Sequence, residues 1–312
     1  MSEDYVTRRV SSKNYKDIRY LFKERGLKYS EEFIEKKFDT SFTGIKDIGF
    51  IAYHSQSGEP AAHYSVFPCL IQKKEKKILA AQSGDTITHS HHQQKGLFVR
   101  LAKQSYDLAR ESGVEVIYGF PNPNSYHGLV NRLNWIYSES FVSFEIPVGA
   151  LPIYRAASKL KGGRTLYHSF LKSLTAKTKK TRSAFPNSVL QEGFCGVDHS
   201  ADFFRYKTYS KSYVMNVDGV LIWFKLEYGI LVGDVHTDLK FDGEQILASL
   251  TKLAKLTGNQ KIRIAVSPDT EMERFLSKNF TGASGFPICW LNLASDFLAG
   301  ELKFTGADAD TF

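Results

Sequence analysis

Gly84-Asp85-Thr86-Ile87-Thr88-His89-Ser90-His91-His92-Gln93-Gln94-Lys95-Gly96-Leu97-Phe98 is the stretch on which the reading of the fold turns. It closes a strand-like run, Ile78–Thr88, and opens a helical one from about Leu97 to Ser112 that stops at Gly113. Gln93-x-x-Gly96 therefore sits at a strand-to-helix turn. Glycine lets the backbone approach a ligand closely, and the free N–H groups of a helix's first turn face outward with the positive end of its dipole. Lys95 adds a formal positive charge. Such a turn suits a pyrophosphate; the plain alternative is an ordinary loop with a glycine at the helix start.

Outward from this stretch the first half alternates strands and helices. Tyr5–Val10 reads as a strand, Asn14–Arg25 as a helix with Ile18, Leu21 and Phe22 on one face, and Ser30–Phe38 as a second helix capped by Ser30. Gly49–His54 and Ala61–Gln72 form strands joined by the turn-rich Ser55 to Pro60. Val114–Phe120 is a buried strand by its apolar run, a short helix runs to about Leu133, and Trp135–Val148 alternates like a strand. The second half repeats this order more weakly. Its strands are Gly219–Leu226, Gly229–Val235, Lys261–Val266 and Phe286–Leu293, with helices over Gly243–Leu256 and up to about Lys278. Gly233-Asp234-Val235-His236-Thr237 echoes Gly84-Asp85-Thr86-Ile87-Thr88, an internal repeat of one α/β unit. The expected organisation is a domain over 1–148, a basic helical linker over 149–187 and a second, degenerate domain over 188–312.

The 312 residues are 42% hydrophobic and 24% charged, the profile of a globular chain with ample core. No stretch reaches the roughly 18 to 20 apolar residues of a membrane span. Met1-Ser2-Glu3-Asp4 is acidic and does not read as a signal peptide, so a cytoplasmic location is expected. Cys69, Cys195 and Cys289 are too few and too scattered for a disulfide framework. The net charge of +8 is uneven: 147–190 carries nine Lys and Arg and no Asp or Glu. This stretch, from Arg155 to Arg182, implies an anionic partner more than a specific nucleic acid. Its stripe Leu166, Phe170, Leu171 and Leu174 has helical spacing, so it reads either as a helix packed on the body or as contact with an anionic surface.

The central stretch resembles the acetyl-CoA-binding motif of the Gcn5-related N-acetyltransferase (GNAT) family. There a Gln/Arg-x-x-Gly-x-Gly/Ala turn follows the fourth strand and opens the third helix; Gln93, Gly96 and Phe98 stand at its marked positions, Phe98 replacing the usual small residue. Gly119-Phe120-Pro121-Asn122-Pro123-Asn124-Ser125 resembles the family's fifth strand and the start of its fourth helix, and Leu133-Asn134-Trp135 stands where many members have Leu-Gly-Phe. The resemblance covers roughly residues 5–148. It implies a mixed α/β central sheet flanked by helices and acetyl-CoA as co-substrate. It further implies that the backbone of Ile87, Thr88 and His89 binds pantetheine and that the N–H groups of Gln94, Lys95, Gly96, Leu97 and Phe98 hold the pyrophosphate. Asn122 and Ser125 would meet the far end of pantetheine. Tyr126 is then the candidate acid and Asp85 the candidate base, each weighed against a packing or structural role.

His89, His91 and His92 do not have helix-borne zinc spacing, and no metal is expected. In the second half, Asp238 to Glu244 places three carboxylates where the first half has His, Gln and Lys, which repels a pyrophosphate. The expected activity is acetyl transfer to an amine of a small polar acceptor such as an amino sugar. Two alternatives stand beside it: an aminoacyl-tRNA-dependent peptidyltransferase of the kind that pairs two GNAT-like units, and a binding module without turnover.

Overall fold

Tyr5–Arg9 forms strand β1, and the expected helices follow as α1 (Tyr15–Glu24) and α2 (Glu31–Phe38). The structure is a computed structural model describing residues 4–181, 184–227, 229–238 and 240–312, with side chains omitted for 177–181. α1 buries Ile18, Leu21 and Phe22, as its spacing predicts, and the Ser30 hydroxyl caps α2 by accepting from the Phe33 N–H. Strands β2 (Ile48–His54), β3 (Pro60–Lys73) and β4 (Lys76–Thr88) lead into α3 (Leu97–Glu111), β5 (Val116–Gly119) and α4 (Pro123–His127). A π-helical turn over Gly128–Arg132 continues α4. After β6 (Ile136–Pro147) come α5 (Ile153–Lys159), α6 (Gly163–Thr181), α7 (Ser188–Gln191), β7 (Gly196–Val197) and α8 (Ala201–Tyr206). The chain ends with β8 (Tyr213–Val217), β9 (Val220–Leu226), β10 (Ile230–Thr237), α9 (Gly243–Thr257), β11 (Lys261–Val266), α10 (Glu271–Asn279) and β12 (Ala283–Asn292).

The chain divides into two compact units, Met1–Ser138 with Phe286–Glu301 and Glu139–Gly285 with Leu302–Phe312. In the first, β1 to β4 are antiparallel neighbours, β4 pairs in parallel with β5, and β5 accepts β12 on its other edge, Cys289 opposite Gly119 and Asn292 opposite Val116. Two apolar layers cover this sheet. Leu97, Leu101, Tyr106 and Trp135 sit in one, and Ile18, Leu21, Ile34 and Phe38 in the other.

In the second unit β6 pairs antiparallel with β11, β11 in parallel with β10, and β9 and β8 follow antiparallel. Residues 149–187 fall in this unit. The expected stripe on α6 is displaced: Tyr167, Leu171 and Thr175 face inward, while Leu166 and Phe170 are exposed. On this face the Tyr167 hydroxyl donates to the Thr257 carbonyl. Lys177, Lys179, Lys180 and Arg182 of the basic stretch lie outside the described side chains.

Candidate acyl-CoA site in the first unit

β4 and β5 pair only over Ala80–Gln82 and Val116–Tyr118, so Ser83–Thr88 runs on past their common segment. Gly119, the last residue of β5, lies beside Ser83, where a Cβ would stand 3.4 Å from the Ser83 carbonyl and from the Trp135 ring. Beyond it β4 slips register against β3 between His63 and Ser65, and Asp85 takes a left-handed φ of 51°. A β-bulge of this kind bends its strand away from a straight neighbour.

Polar groups hold the bulge from below. The Asp85 carboxylate pairs with Lys37 of α2 at 2.8 Å, both side chains buried. His63 Nδ1 lies 2.9 Å from the Asp85 carbonyl, and its Nε2 lies 2.7 Å from the Ser65 hydroxyl. A carbonyl only accepts, so Nδ1 carries the proton and Nε2 accepts from Ser65. Burial pushes the His63 imidazole down to about 4, which keeps it neutral.

Bulge and register decide which backbone groups reach the opening. The His89 N–H donates to the Ala61 carbonyl at 2.9 Å, and His63 stands opposite Ile87. Alternation along an antiparallel pair then turns Thr88 to the free edge and Ile87 and His89 back toward β3. Of the three residues expected to meet pantetheine, Thr88 alone has its peptide groups on the open edge. Ile87 instead buries its side chain in the core under α1 and α2.

The turn leaves several backbone donors uncovered. Gln94 and Gly96 are left-handed, with φ of 61° and 73°, and Gln93 to Gly96 are exposed. Gly96 is the N-cap of α3 and supplies no capping side chain. Among the described residues no group accepts from the Leu97, Phe98 or Val99 amides. A Cβ on Gly96 would meet nothing within 4 Å, so the space in front of these donors is open. Free amides, helix dipole and Lys95 together give the mouth of this turn a positive local potential. Phe98 turns inward, edge to face with Tyr64 at 5.7 Å and against Gly128, where a Cβ would come within 2.6 Å of its ring. Glycine at 128 makes room for the bulky residue at 98.

Across the opening, Asn122 caps α4: its Oδ1 accepts from the Asn124 and Ser125 amides at 2.9 and 3.2 Å, and the Ser125 hydroxyl bonds back to Asn122. Tyr126 is half-buried, and burial, then Cys289 and Tyr137, raises its pKa, so the phenol keeps its proton. Sequence reasoning missed a buried chain at the foot of the splay. Trp135 Nε1–H donates to the Tyr106 hydroxyl at 3.0 Å, which lies 2.8 Å from the Tyr64 hydroxyl, itself 2.7 Å from Ser83 Oγ. Indole is a donor only, so the Tyr106 hydroxyl accepts at that end of the chain. No periodicity signals such a chain, because its members come from β3, β4, α3 and the loop before β6.

The histidines beside the turn are engaged with neighbours. His92 Nδ1 lies 2.9 Å from the Tyr5 hydroxyl, and His89 Nε2 lies 3.8 Å from Glu59, which also accepts from Tyr20 at 2.9 Å. Among the described residues no three His, Cys, Asp or Glu side chains converge in a way that could hold a metal.

The second unit repeats the splay with a different mouth. β10 and β11 pair only over Ile230–Val232 and Ile262–Ile264, and β10 bulges between Val232 and Asp234. A cavity of about 520 Å³ opens beyond, lined by Gly233, Asp234, Val266, Met272 and Phe304 among others. Here the helix start is taken: the Asp242 carboxylate caps α9 by accepting from Gln245 N–H at 3.1 Å. A carboxylate thus stands where an anion would bind. Asp234 is buried, which pushes its carboxyl up to about 7.

Comparison with known proteins agrees with this geometry. Residues 8–137 match the sequence profile of the family described as Acetyltransferase (GNAT) domain. A GCN5-related N-acetyltransferase from Kribbella flavida superposes with a TM-score of 0.57 at 7% identity, over 93% of this chain and 71% of that one. A GCN5-related N-acetyltransferase from Anabaena variabilis gives 0.57 at 12%, over 92% and 72%. The N-myristoyltransferase of Saccharomyces cerevisiae, solved with myristoyl-CoA and inhibitors, gives 0.58 at 13%, over 94% and 81%. At these identities the likeness is one of fold. No curated protein matches the chain in sequence.

Proposed function

We propose, from the premise that residues 8–137 are a GNAT acetyltransferase domain and the chain an acyltransferase, that it moves an acetyl group from acetyl-CoA to an amine of a small polar acceptor such as an amino sugar. The observation that carries this is the row of unpartnered amides at the start of α3, open to solvent beside Lys95. In this reading the amides of Gln94 to Phe98 grip the diphosphate, and the free edge of β4 at Thr88 pairs with the pantetheine arm. Asn122 and Ser125 border its far end.

Direct attack then needs little from the protein beyond positioning and charge stabilisation. The acceptor nitrogen forms a bond to the thioester carbonyl carbon, the C–S bond breaks, and the leaving thiolate takes a proton. Tyr126 is the candidate donor, since its environment favours the protonated phenol. Asp85 is held by Lys37, which suits a structural role under the bulge better than proton abstraction. The amine accordingly enters neutral, losing its proton to water, and the rate rises with pH until the free amine predominates.

Calorimetry with acetyl-CoA tests the binding half; no heat at high micromolar ligand rejects it. Thiol release followed against a panel of amines and amino sugars tests turnover. Tyr126→Phe should lower turnover by roughly 10²-fold or more, the scale of general acid catalysis, with acetyl-CoA affinity unchanged. An undiminished rate removes Tyr126 from the mechanism.

A further inference from the structure

The segment 147–190 holds nine basic residues and no acidic one. Of its described side chains, Arg155, Lys159, Lys161, Arg164 and Lys172 are all exposed, and none joins an ion pair among the described residues. Their field reaches His168, whose pKa is lowered by burial first and then by Lys211, Lys172 and Arg164.

Large apolar side chains stand out between these charges. Leu151 is 76% exposed, Leu160 68% and Leu166 74%, with Ile153 and Phe170 about half exposed. They are not misplaced core residues, because the core-facing positions of the same helices are filled by Tyr154, Ala157, Tyr167 and Leu171. At the bend after α5, Lys159, Leu160 and Lys161 are consecutive, and Gly162, with φ of 76°, turns the chain into α6. Charge alone suits any polyanion. Interleaved leucines require an apolar phase as well, which a phosphate backbone does not offer. A bilayer with anionic headgroups offers both layers at once.

We propose that α5, α6 and the bend between them form a peripheral docking surface for an anionic lipid bilayer. Leu160, Leu166 and Phe170 enter the headgroup boundary, and Arg155, Lys159, Lys161, Arg164 and Lys172 lie against lipid phosphates. This contact is independent of the acetyl-CoA site, whose affinity calorimetry reports separately.

The full chain is sedimented with phosphatidylcholine vesicles containing about a third phosphatidylglycerol, and with pure phosphatidylcholine, at about 0.1 M salt. Partition into the anionic vesicles should be roughly tenfold stronger. The triple variant Leu160→Ser, Leu166→Ser, Phe170→Ser and the pair Lys159→Glu, Lys161→Glu should each reduce it by roughly tenfold. All five positions are exposed, so melting temperature and acetyl-CoA affinity should stay unchanged. Absence of sedimentation with anionic vesicles overturns the proposal. So does undiminished binding by the serine variant together with full displacement of the vesicles by duplex DNA, the mark of a polyanion site.

Discussion

Replacing Gly96 by Asp would convert the start of α3 into the start of α9, where Asp242 already caps its helix with a carboxylate. An N-cap aspartate accepts from the second or third amide of its helix, here Phe98 or Val99, and brings a negative charge to the turn. Hydrogen bonds to a charged partner contribute about 1.5–3 kcal/mol each, so loss of one or two weakens diphosphate binding by about 3 kcal/mol. That is roughly a 150-fold rise in Kd. The backbone cost of a side chain at φ 73° is separate. It amounts to about 1–2 kcal/mol of stability, a minor part of the roughly 5–15 kcal/mol of an ordinary domain, so the variant folds. Gly96→Ala carries the same backbone cost without the carboxylate and is the proper reference. Calorimetry with acetyl-CoA on both proteins isolates the charge. Equal Kd values for the two would refute the placement of the diphosphate at this turn.

Three further outcomes follow from the surrounding packing. Lys37→Met removes the cation paired with the buried Asp85 carboxylate and should cost about 3–5 kcal/mol in urea unfolding, with Asp85→Asn added on top recovering part of it. Gly128→Ala drives a methyl into the Phe98 ring and should cost about 1–3 kcal/mol, while in the Phe98→Ala background the same change should be nearly silent. If the two changes simply add, the pairing of 98 with 128 is wrong. His63 is neutral in the fold down to a pH of about 4, whereas an unfolded histidine titrates near 6.5. Between these values the unfolded state binds more protons, so stability falls as pH falls, by up to about 3 kcal/mol from this residue. Urea melts at about pH 4.5 and 7 should show that slope reduced in His63→Gln, and an unchanged slope would assign it elsewhere.

Much of the local architecture was legible. The spacing of Ile18, Leu21 and Phe22, the cap at Ser30, the stop at Gly113 and the turn at Gln93 to Gly96 depend on residues within a few positions of one another. Helix α9 and strand β11 fall within a residue of their sequence-derived bounds for the same reason. What was not legible is long-range. Strand parity at Thr88 depends on Ala61 accepting from His89, so the pantetheine edge could not be assigned from β4 alone. Asp85 was weighed as a base against a structural role, and its partner, Lys37, lies on another helix where no local pattern shows it. The apolar stripe on α6 holds in part: Leu171 is buried and Leu174 half-buried, whereas Leu166 and Phe170 face solvent and Tyr167 and Thr175 turn inward. Nor does any local pattern reveal that the last strand of the chain lies beside β5.

That late strand has a consequence for biosynthesis. When the ribosome has made everything up to Ser138, β5 still lacks the neighbour that Phe286–Asn292 will provide. A nascent chain therefore carries a bare, wholly buried-type strand, Val116–Gly119, through the synthesis of nearly 150 further residues. Such an edge invites foreign pairing until it is covered. The sheet of the first unit cannot be completed before that late segment is made, and a gene cut at the midpoint would leave the unit without one of its strands.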